Sequence, residues 1–275
     1  MTVVVKVGGA RAVDPAGAIA DVAALAGDER VVLVHGGSTA VDEALESRGV
    51  DPEYVETPDG VVGRFTDAET MGVVEAVFGR IRTDLVADLQ TAGVDAIGLS
   101  GVDGELISGP RTSAIRIIED GKRKIKRGDH SGSIETVDPD PLETLLDAGY
   151  TPVVGPPMAG QEDDGITPVN VDADRSAAAI AGALDADLVL LTDVEGVYRD
   201  PDDPATKIES VATADEWATL EASAEGFMTR KVMAAAEALD AGAPTAIVAD
   251  ANSEAPIRAA LDGAGTTVHQ EARES

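Results

Sequence analysis

The sequence contains no cysteine among its 275 residues. Disulfide bridges, thiolate metal ligands and cysteine nucleophiles are therefore excluded. Aromatic residues make up only 3% of the chain, and no apolar run approaches the roughly 20 residues that span a bilayer. The stretch MTVVVKVGG has no cationic segment before its apolar residues, so it lacks the pattern of a secretory signal. We expect a cytoplasmic protein without a membrane partner.

Positive charge is also scarce. The chain has 51 acidic and 21 basic residues, which gives a formal net charge of -30. Acidic residues are spread along the whole sequence, which favours a solvated acidic surface over one cation-binding patch. An acidic, lysine-poor surface is typical of a protein that works in concentrated salt, because screening limits its self-repulsion. We expect a high-salt cytoplasm, and the overall charge disfavours nucleic-acid binding.

One short segment departs from this acidic pattern. Within EDGKRKIKRGDHSGSIE, five cations occupy six consecutive positions: Lys122, Arg123, Lys124, Lys126 and Arg127. A solvated hairpin, whose charges discourage edge pairing, is one interpretation of this cluster. A docking surface for an acidic partner is the other interpretation.

Short β-branched runs alternate with helical stretches, which predicts a mostly parallel sheet covered by helices. Strands are predicted at 2–7, 31–34, 94–99, 152–154, 187–192 and 245–249. Helices are predicted near 16–26, 39–48, 67–90, 141–148, 173–184, 214–223, 229–241 and 254–262. The region 100–140 consists of short alternating segments between glycine and aspartate residues, and we expect it to form β-hairpins that project from the main sheet.

Several helices carry start and stop signals. Thr39-x-x-Asp42 and Thr213-x-x-Glu216 predict capping boxes. Gly49, Gly149 and Gly242 predict helix ends.

Small or polar clusters follow the predicted strands directly. They are Gly8-Gly9, His35-Gly36-Gly37, the stretch 100–104, Gly155-Pro156 and the stretch 193–196. Because the carboxyl ends of parallel strands share one edge of a sheet, and ligands bind at that edge, we expect these clusters to form one binding site.

Three basic side chains are candidates for this site. Lys6 ends the first strand and offers an ammonium beside backbone N–H groups, although an ordinary strand end with an edge lysine also fits. Lys231 stands near a predicted helix start at Thr229, where a cation opposes the helix dipole unless an anion is nearby. His35 alone favours a structural role, whereas the glycines after it precede a helix and suit an anion.

Polar residues around two later helices are weaker candidates. Asp172 suits a helix N-cap, which leaves Asn170 and Asp174 to face the site. Arg64 precedes a long helix and has the geometry to form a bidentate pair with a carboxylate. Taken singly, Asn170, Asp174 and Arg64 are neutral evidence.

The ordered motifs VKVGG, VHGG, GRFTD, GLSGVDG, VNVDAD, LLTDVEGVY and GFMTRKV strongly resemble the amino-acid kinase family, in its acetylglutamate-kinase-like branch. The resemblance runs from residue 2 to about 269. It implies a carbamate-kinase-like fold, a three-layer αβα sandwich around a mostly parallel sheet. It also implies an N-terminal lobe (1–170) for the acceptor substrate and for dimerisation, and a C-terminal lobe (171–275) for ATP.

The same resemblance implies roles for individual residues. Lys6 and Lys231 are expected to clamp the transferring phosphoryl group, and Asp174 to orient both lysines. Substrate binding is expected from Gly36, Gly37, Arg64 and Asn170, and phosphate or ATP binding from Gly8, Gly9, Asp193 and Tyr198. The implied cofactors are ATP and Mg²⁺, the metal held mainly by the nucleotide phosphates rather than by a protein metal site.

A carboxylate acceptor, which the resemblance implies, agrees with the residues present. A carboxyl group with a pKa near 4 is already ionised at neutral pH, so no general base is required. Catalysis then rests on alignment and on cations around the phosphoryl group. Two departures stand out: Ser38 replaces the third glycine of the usual HGGG, and Phe227 replaces the second glycine of GGM.

The basic segment resembles the insertion of the [LysW]-aminoadipate/[LysW]-glutamate kinases, which act on an amino acid carried by a small acidic protein. This resemblance implies that the carrier docks on Arg111, Arg116 and the 122–127 cluster. The expected activity is phosphorylation of carrier-linked glutamate or 2-aminoadipate, in arginine or lysine synthesis, by a homodimer. The alternatives are acetylglutamate kinase acting on free substrate, another activity of the family such as uridylate or carbamate kinase, and a ligand-sensing or nucleic-acid-binding module.

Overall fold

The computed structural model describes residues 1–8, 15–58, 60, 62–119 and 121–273. The strands of the first half are β1 (Thr2–Val7), β2 (Arg30–His35), β3 (Tyr54–Glu56), β4 (Val62–Arg64), β5 (Ala96–Gly101), β6 (Ile107–Glu119), β7 (Lys122–Gly132) and β8 (Thr136–Val137). Those of the second half are β9 (Thr151–Glu162), β10 (Gly165–Val169), β11 (Asp187–Thr192), β12 (Val197–Tyr198), β13 (Lys207–Ile208), β14 (Ser210–Val211), β15 (Thr245–Asp250) and β16 (Thr266–His269).

The α-helices match the predicted positions to within two residues at most ends. They are α1 (Pro15–Leu25), α2 (Ser38–Glu46), α3 (Ala68–Thr91), α4 (Asp140–Asp147), α5 (Ala173–Ala183), α6 (Ala214–Ser223), α7 (Phe227–Asp240) and α8 (Pro256–Leu261). Short 3₁₀ helices cover Asp103–Glu105, Pro204–Thr206 and Gln270–Ala272.

In the described part of the chain, fourteen strands form one sheet with the main order β14-β16-β15-β11-β1-β2-β9-β6-β3-β4. Strands β11 and β2 flank β1, and both run parallel to it. The strands within each of the pairs β2–β9, β5–β9 and β11–β15 are also parallel to each other. The long strands β6 and β7 form an antiparallel hairpin. The predicted mostly parallel sheet with a hairpin inserted at 100–140 is therefore confirmed.

Two helical layers cover the two faces of this sheet. Side chains alternate between the faces of a strand, and in β1 Val3 and Val5 pack with the core residues of α1, α3 and α8. Val4 packs on the other face, with core residues of α4, α5, α6 and α7. This arrangement confirms the predicted three-layer sandwich.

Small residues allow α5 and α7 to approach each other closely. A Cβ atom added at Gly182 of α5 would overlap Ala241, the residue that caps the end of α7. Ala177, Ala178 and Ala181 of α5 are fully buried in the same core. The alanine-rich composition of these helices therefore sets the short separation between them, which matters for the site described below.

The capping box predicted at Thr39 and Asp42 is wrong. The structure shows α2 starting at Ser38 after Gly37, with no side-chain cap. Asp42 accepts hydrogen bonds from Arg64 and Tyr54 instead, so its carboxylate is occupied by partners that are distant in sequence.

The N-cap predicted for α7 at Thr229 is also wrong. This helix begins at Phe227 after the N-cap Gly226, and the hydroxyl of Thr229 donates to the carbonyl of Ala224 rather than capping the helix. Lys231 is thus in the second turn, where its effect on the helix dipole is smaller.

The second predicted capping box is present. Thr213 accepts a hydrogen bond from the backbone N–H of Glu216, whose carboxylate accepts from the N–H of Thr213. We expect Thr213→Ala to lower the free energy of unfolding by about 0.5–2 kcal/mol, because one N–H of the first turn of α6 loses its acceptor. Thr39→Ala is the matched control and should leave stability unchanged. Urea unfolding of both variants measures the difference, and equal losses would contradict the assignment.

Candidate active site

Three charged residues from three different elements meet at the carboxyl edge of the sheet. Lys6 lies near the end of β1, Asp174 in the first turn of α5 and Lys231 in α7. Lys6 Nζ is 2.7 Å from Asp174 Oδ1, and Lys231 Nζ is 3.2 Å from Asp174 Oδ2. One carboxylate therefore links both predicted catalytic lysines, as the predicted orienting role of Asp174 requires.

These three side chains are buried, and burial alters how they ionise. Lys6 is 7% exposed, and Asp174 and Lys231 are each 9% exposed. Burial opposes ionisation of Asp174, but the charges of Lys6 and Lys231 overcome this effect and hold the pKa of the carboxyl below its usual value. Burial, together with repulsion from Lys6, lowers the pKa of Lys231.

The trio carries one uncompensated positive charge when both lysines are protonated. An isolated buried charge is costly, whereas a charge that meets a counterion in the same site is stabilised. One carboxylate holds the two ammonium groups in place, and their excess positive charge makes the trio a candidate anion site. Such a clamp suits a phosphoryl group whose charge must be balanced during transfer.

The glycine segment after β2 lies beside this trio. The Gly36 N–H donates to the carbonyl of Val7, and the Gly37 carbonyl accepts from the N–H of Val41 in α2. A Cβ atom at Gly37 would lie 2.7 Å from Phe78 Cε1, so the close packing of α3 requires glycine here. Gly8 follows β1 on the same edge, whereas the predicted Gly9 lies outside the described residues.

Arg64 is held close to the start of α2. Its Nε donates to Asp42 Oδ1 at 3.0 Å, and its Nη2 donates to both the carbonyl and the hydroxyl of Ser38 at 2.7 Å. Nη1 has no hydrogen-bond partner among the described residues. Ser38, the departure from the third glycine of the motif, therefore fixes the guanidinium and leaves one of its edges for an acceptor.

Asn170 contacts His130, a residue that is not among the predicted site residues. Its N–H donates to the carbonyl of His130 at 2.7 Å, and the N–H of His130 donates to the carbonyl of Thr66, also at 2.7 Å. The buried Asp129 accepts the Thr66 N–H at 3.1 Å. The end of β7 therefore joins the segment after Arg64 to Asn170.

Asp129 and His130 were missed by the sequence reasoning because their partners lie far away along the chain. The turn-like stretch GDHSG, directly after the basic cluster, is the only local sign of a special backbone there.

Of the two residues predicted for the nucleotide side, Asp193 lies at the carboxyl edge of the main sheet, and Tyr198 lies in a separate two-stranded sheet formed by β12 and β13. Asp193 directly follows β11, the parallel neighbour of β1, and accepts a hydrogen bond from the hydroxyl of Thr192. Tyr198 lies in β12, and burial together with the nearby Glu195 raises the pKa of its phenol. Neither side chain contacts the lysine trio through a described hydrogen bond or ion pair.

The β6–β7 hairpin has two different faces. One face, which we call the lysine face, carries Lys122, Lys124 and Lys126. Lys124 pairs with Glu119, and Lys126 pairs with Glu53 and lies over the ring of Phe65. The lysine face is therefore partly neutralised and turned toward the body of the protein.

The opposite face, which we call the arginine face, carries Arg116, Arg123 and Arg127 around Ile125. The three arginines are exposed, and Ile125 is 65% exposed. Among the described residues none of these arginines has a carboxylate partner. The arginine face is thus an open, cationic surface with an apolar centre.

Arg111 is separate from this surface. Its guanidinium pairs with Glu162 at 3.0 Å and donates to the carbonyl of Asp129. Arg111 therefore supports the base of the hairpin and the segment that reaches Asn170, and its side chain is mostly buried.

Comparison with known proteins agrees with this geometry. The profile of the Amino acid kinase family matches residues 1–250. The chain belongs to this family. A [LysW]-aminoadipate kinase of Deinococcus radiodurans is 42% identical over 269 residues, which cover 97% of this chain and 91% of that protein. An acetylglutamate kinase of Methanopyrus kandleri is 41% identical over 268 residues, which cover 96% and 99% of the two chains.

A solved structure of carbamate kinase from Giardia has the same fold. It superposes with a TM-score of 0.68 at 18% identity and covers 98% of both chains. The protein is therefore an ATP-dependent kinase with the predicted amino-acid kinase fold. None of the described helices combines the length and hydropathy needed to cross a membrane.

Substitutions of Lys231 and Asp174 are expected to differ in their effects on activity and on stability. Lys231→Ala should lower kcat by on the order of 10²-fold or more, because one phosphoryl-binding cation is lost. Lys231→Ala should change the free energy of unfolding little, because burial already disfavours the charged form of this lysine.

Asp174→Asn leaves two buried ammonium groups unpaired and should lower the free energy of unfolding by about 3–5 kcal/mol. Steady-state kinetics and urea unfolding test both, and near-normal kcat in Lys231→Ala would refute the assignment.

The lowered pKa of Lys231 predicts a pH dependence. As the pH rises, Lys231 loses its proton below the usual lysine value of about 10.4, so kcat should fall on the alkaline side earlier than for an ordinary lysine. Asp174 has a lowered pKa, so its ion pairs persist at neutral pH and are lost only as the pH falls through that lowered value. A kcat profile that stays flat up to the usual lysine pKa would contradict this prediction.

Proposed function

We propose that this kinase transfers the γ-phosphoryl group of ATP to the side-chain carboxylate of glutamate or 2-aminoadipate linked to a small acidic amino-group carrier protein of the LysW type. A bond forms between phosphorus and a carboxylate oxygen, and the bond between phosphorus and the β–γ bridging oxygen breaks. The products are a carrier-linked acyl phosphate and ADP. Such a step belongs to arginine or lysine synthesis.

The arginine face is the observation that carries this proposal. In a chain of net charge -30, three exposed arginines surround an exposed isoleucine on one side of a hairpin. Arginine binds carboxylates bidentately, and an apolar centre adds contact area, so this surface suits an acidic protein. A small free substrate has no need of such a surface.

The hairpin also connects this surface to the predicted acceptor site. β7 begins with the basic cluster at Lys122, and near its other end Asp129 and His130 contact Thr66 and Asn170. A carrier seated on the arginine face would therefore lie on the same strand that positions the acceptor-binding segments. The relative from Deinococcus radiodurans, named a [LysW]-aminoadipate kinase, supports the same substrate class.

The remaining assignments follow the predicted division into lobes. The N-terminal lobe, 1–170, binds the acceptor through Gly36, Gly37, Arg64 and Asn170. The C-terminal lobe, 171–275, binds ATP through Asp193 and Tyr198, and Gly8 and Gly9 of the N-terminal lobe complete the phosphate or ATP site. Mg²⁺ would arrive on the nucleotide phosphates, as the family resemblance implies. A homodimer in a salt-rich cytoplasm completes the proposal.

A second candidate is acetylglutamate kinase, which the 41% identity with the Methanopyrus kandleri enzyme favours. The two candidates share the carboxylate chemistry and differ in what is attached to the amino group. ATP turnover with carrier-linked glutamate, carrier-linked aminoadipate and free N-acetylglutamate separates them. We expect a higher kcat/KM for a carrier-linked substrate, and preference for the free acetylated substrate would refute the proposal.

Charge reversal on the hairpin tests the docking surface. Arg123→Glu/Arg127→Glu should raise the KM for carrier-linked substrate at least about tenfold, which equals about 1.4 kcal/mol of docking energy. The KM for ATP should not change, because the hairpin lies outside the proposed nucleotide site.

Lys122→Glu/Lys124→Glu is the matched control for that experiment. It changes the charge of the same hairpin by the same amount, but on the lysine face. At molar salt the Debye length is about 3 Å, so only direct contacts with the carrier survive and the control should have little effect. Equal effects of the two double variants would show that net charge, rather than the arginine face, is responsible.

A further inference from the structure

We infer that His35 is a positioning residue that turns the backbone N–H of Gly37 toward the phosphoryl-transfer site. The inference rests on the proposed role of Gly37 in binding the acceptor, whose carboxylate receives the phosphoryl group. It assigns a function to a histidine whose ring lies outside the lysine trio.

The strand register places His35 and the trio on opposite faces of the sheet. In the parallel pair β1–β2, Lys6 is opposite Val34 and Val7 is opposite His35. Because successive side chains alternate between faces, His35 lies on the face of α3 while Lys6 lies on the face of α5 and α7. His35 packs edge-on against Phe78 of α3, with ring centroids 6.0 Å apart, and is 2% exposed.

A single hydrogen bond connects the ring to the glycine segment. His35 Nδ1 lies 3.1 Å from the carbonyl oxygen of Gly36. A carbonyl oxygen only accepts hydrogen bonds, so Nδ1 carries the proton. The Gly36 carbonyl is thereby drawn toward the α3 face of the sheet.

The planarity of the peptide bond transmits this orientation. In a trans peptide the C=O of one residue and the N–H of the next point in opposite directions. Because the Gly36 carbonyl is fixed toward His35, the Gly37 N–H is directed away from the ring and toward the face that carries Lys6. This N–H has no acceptor among the described residues, so it is available to an incoming anion.

The other ring nitrogen explains a glycine in the neighbouring strand. His35 Nε2 is buried and has no hydrogen-bond partner among the described residues. It lies directly over Gly155 of β9, where an added Cβ atom would overlap the ring. Burial, with the charges of Arg82 and Lys6 adding to it, lowers the pKa of His35 to about 4, so the ring stays neutral near neutral pH.

Two substitutions of His35 separate positioning from packing. In His35→Asn, the side-chain amide nitrogen takes the place of Nδ1 and can donate to Gly36. His35→Leu fills the volume but has no donor. We expect His35→Asn to keep kcat within about threefold of the parent and His35→Leu to lose at least about tenfold, by loss of an aligned N–H donor.

The stability of the same two variants should follow the opposite order. A buried leucine gains from the hydrophobic effect, so His35→Leu should unfold at a temperature at least as high as His35→Asn. If the ring serves only to pack, activity will follow stability and leucine will be the better replacement. That result would overturn the inference.

Gly155→Ala tests the same contact without touching His35. Its methyl group should displace the ring and lower kcat by a factor similar to that of His35→Leu. In a His35→Ala background the methyl group has room, so Gly155→Ala should add no further loss. If the losses of kcat caused by His35→Ala and by Gly155→Ala multiply in the double variant, the two positions act independently. That result would overturn the inference.

These measurements use whichever acceptor the parent enzyme phosphorylates, carrier-linked or free. Failure of the parent on carrier-linked substrate would refute the proposed function alone. A kcat that is lower for His35→Asn than for His35→Leu, measured on an accepted substrate, would refute the positioning role alone.

Discussion

The buried carboxylate of Asp174 between two ammonium groups is the interaction on which the rest of this molecule depends. Lys6 and Lys231 would repel each other in a poorly solvated site without it. The trio is assembled from a central strand and two helices, and the close approach of α5 and α7 through alanine and glycine keeps the charges within contact. The small residues of those helices thus serve the electrostatics of the site as well as the core.

The acceptor side is organised by contacts between distant parts of the chain. Arg64 is fixed by Ser38 and Asp42 of α2, and Asn170 is fixed by the end of β7. Arg64 and Asn170 therefore each rely on a partner that is not itself a predicted ligand. Preorganisation of this kind is the main source of catalysis when the acceptor needs no deprotonation.

Strong local patterns made much of the fold predictable. The apolar runs of β1, β2 and β11 and the periodic helices were predicted within a few residues, and ordered motifs singled out Lys6, Asp174 and Lys231. The short strands β3, β4 and β16 were missed, because three or four residues are too few to show an alternating pattern. The pattern at Thr39 failed because of a distant partner: Asp42 is occupied by Arg64. Asp129 acts through buried long-range contacts, and the stretch GDHSG around it does not indicate who its partners are.

The β6–β7 hairpin has a geometric consequence for any partner bound to its arginine face. From Ile125 to Ser131, which bridges to Asn170, the strand advances by six residues. A rise of about 3.4 Å per residue makes this at most about 20 Å. The strand therefore sets a distance: a carrier bound at its outer end, as proposed above, would present the amino acid on an extended arm of about six residues. Arm length, as well as charge, would then discriminate between carriers.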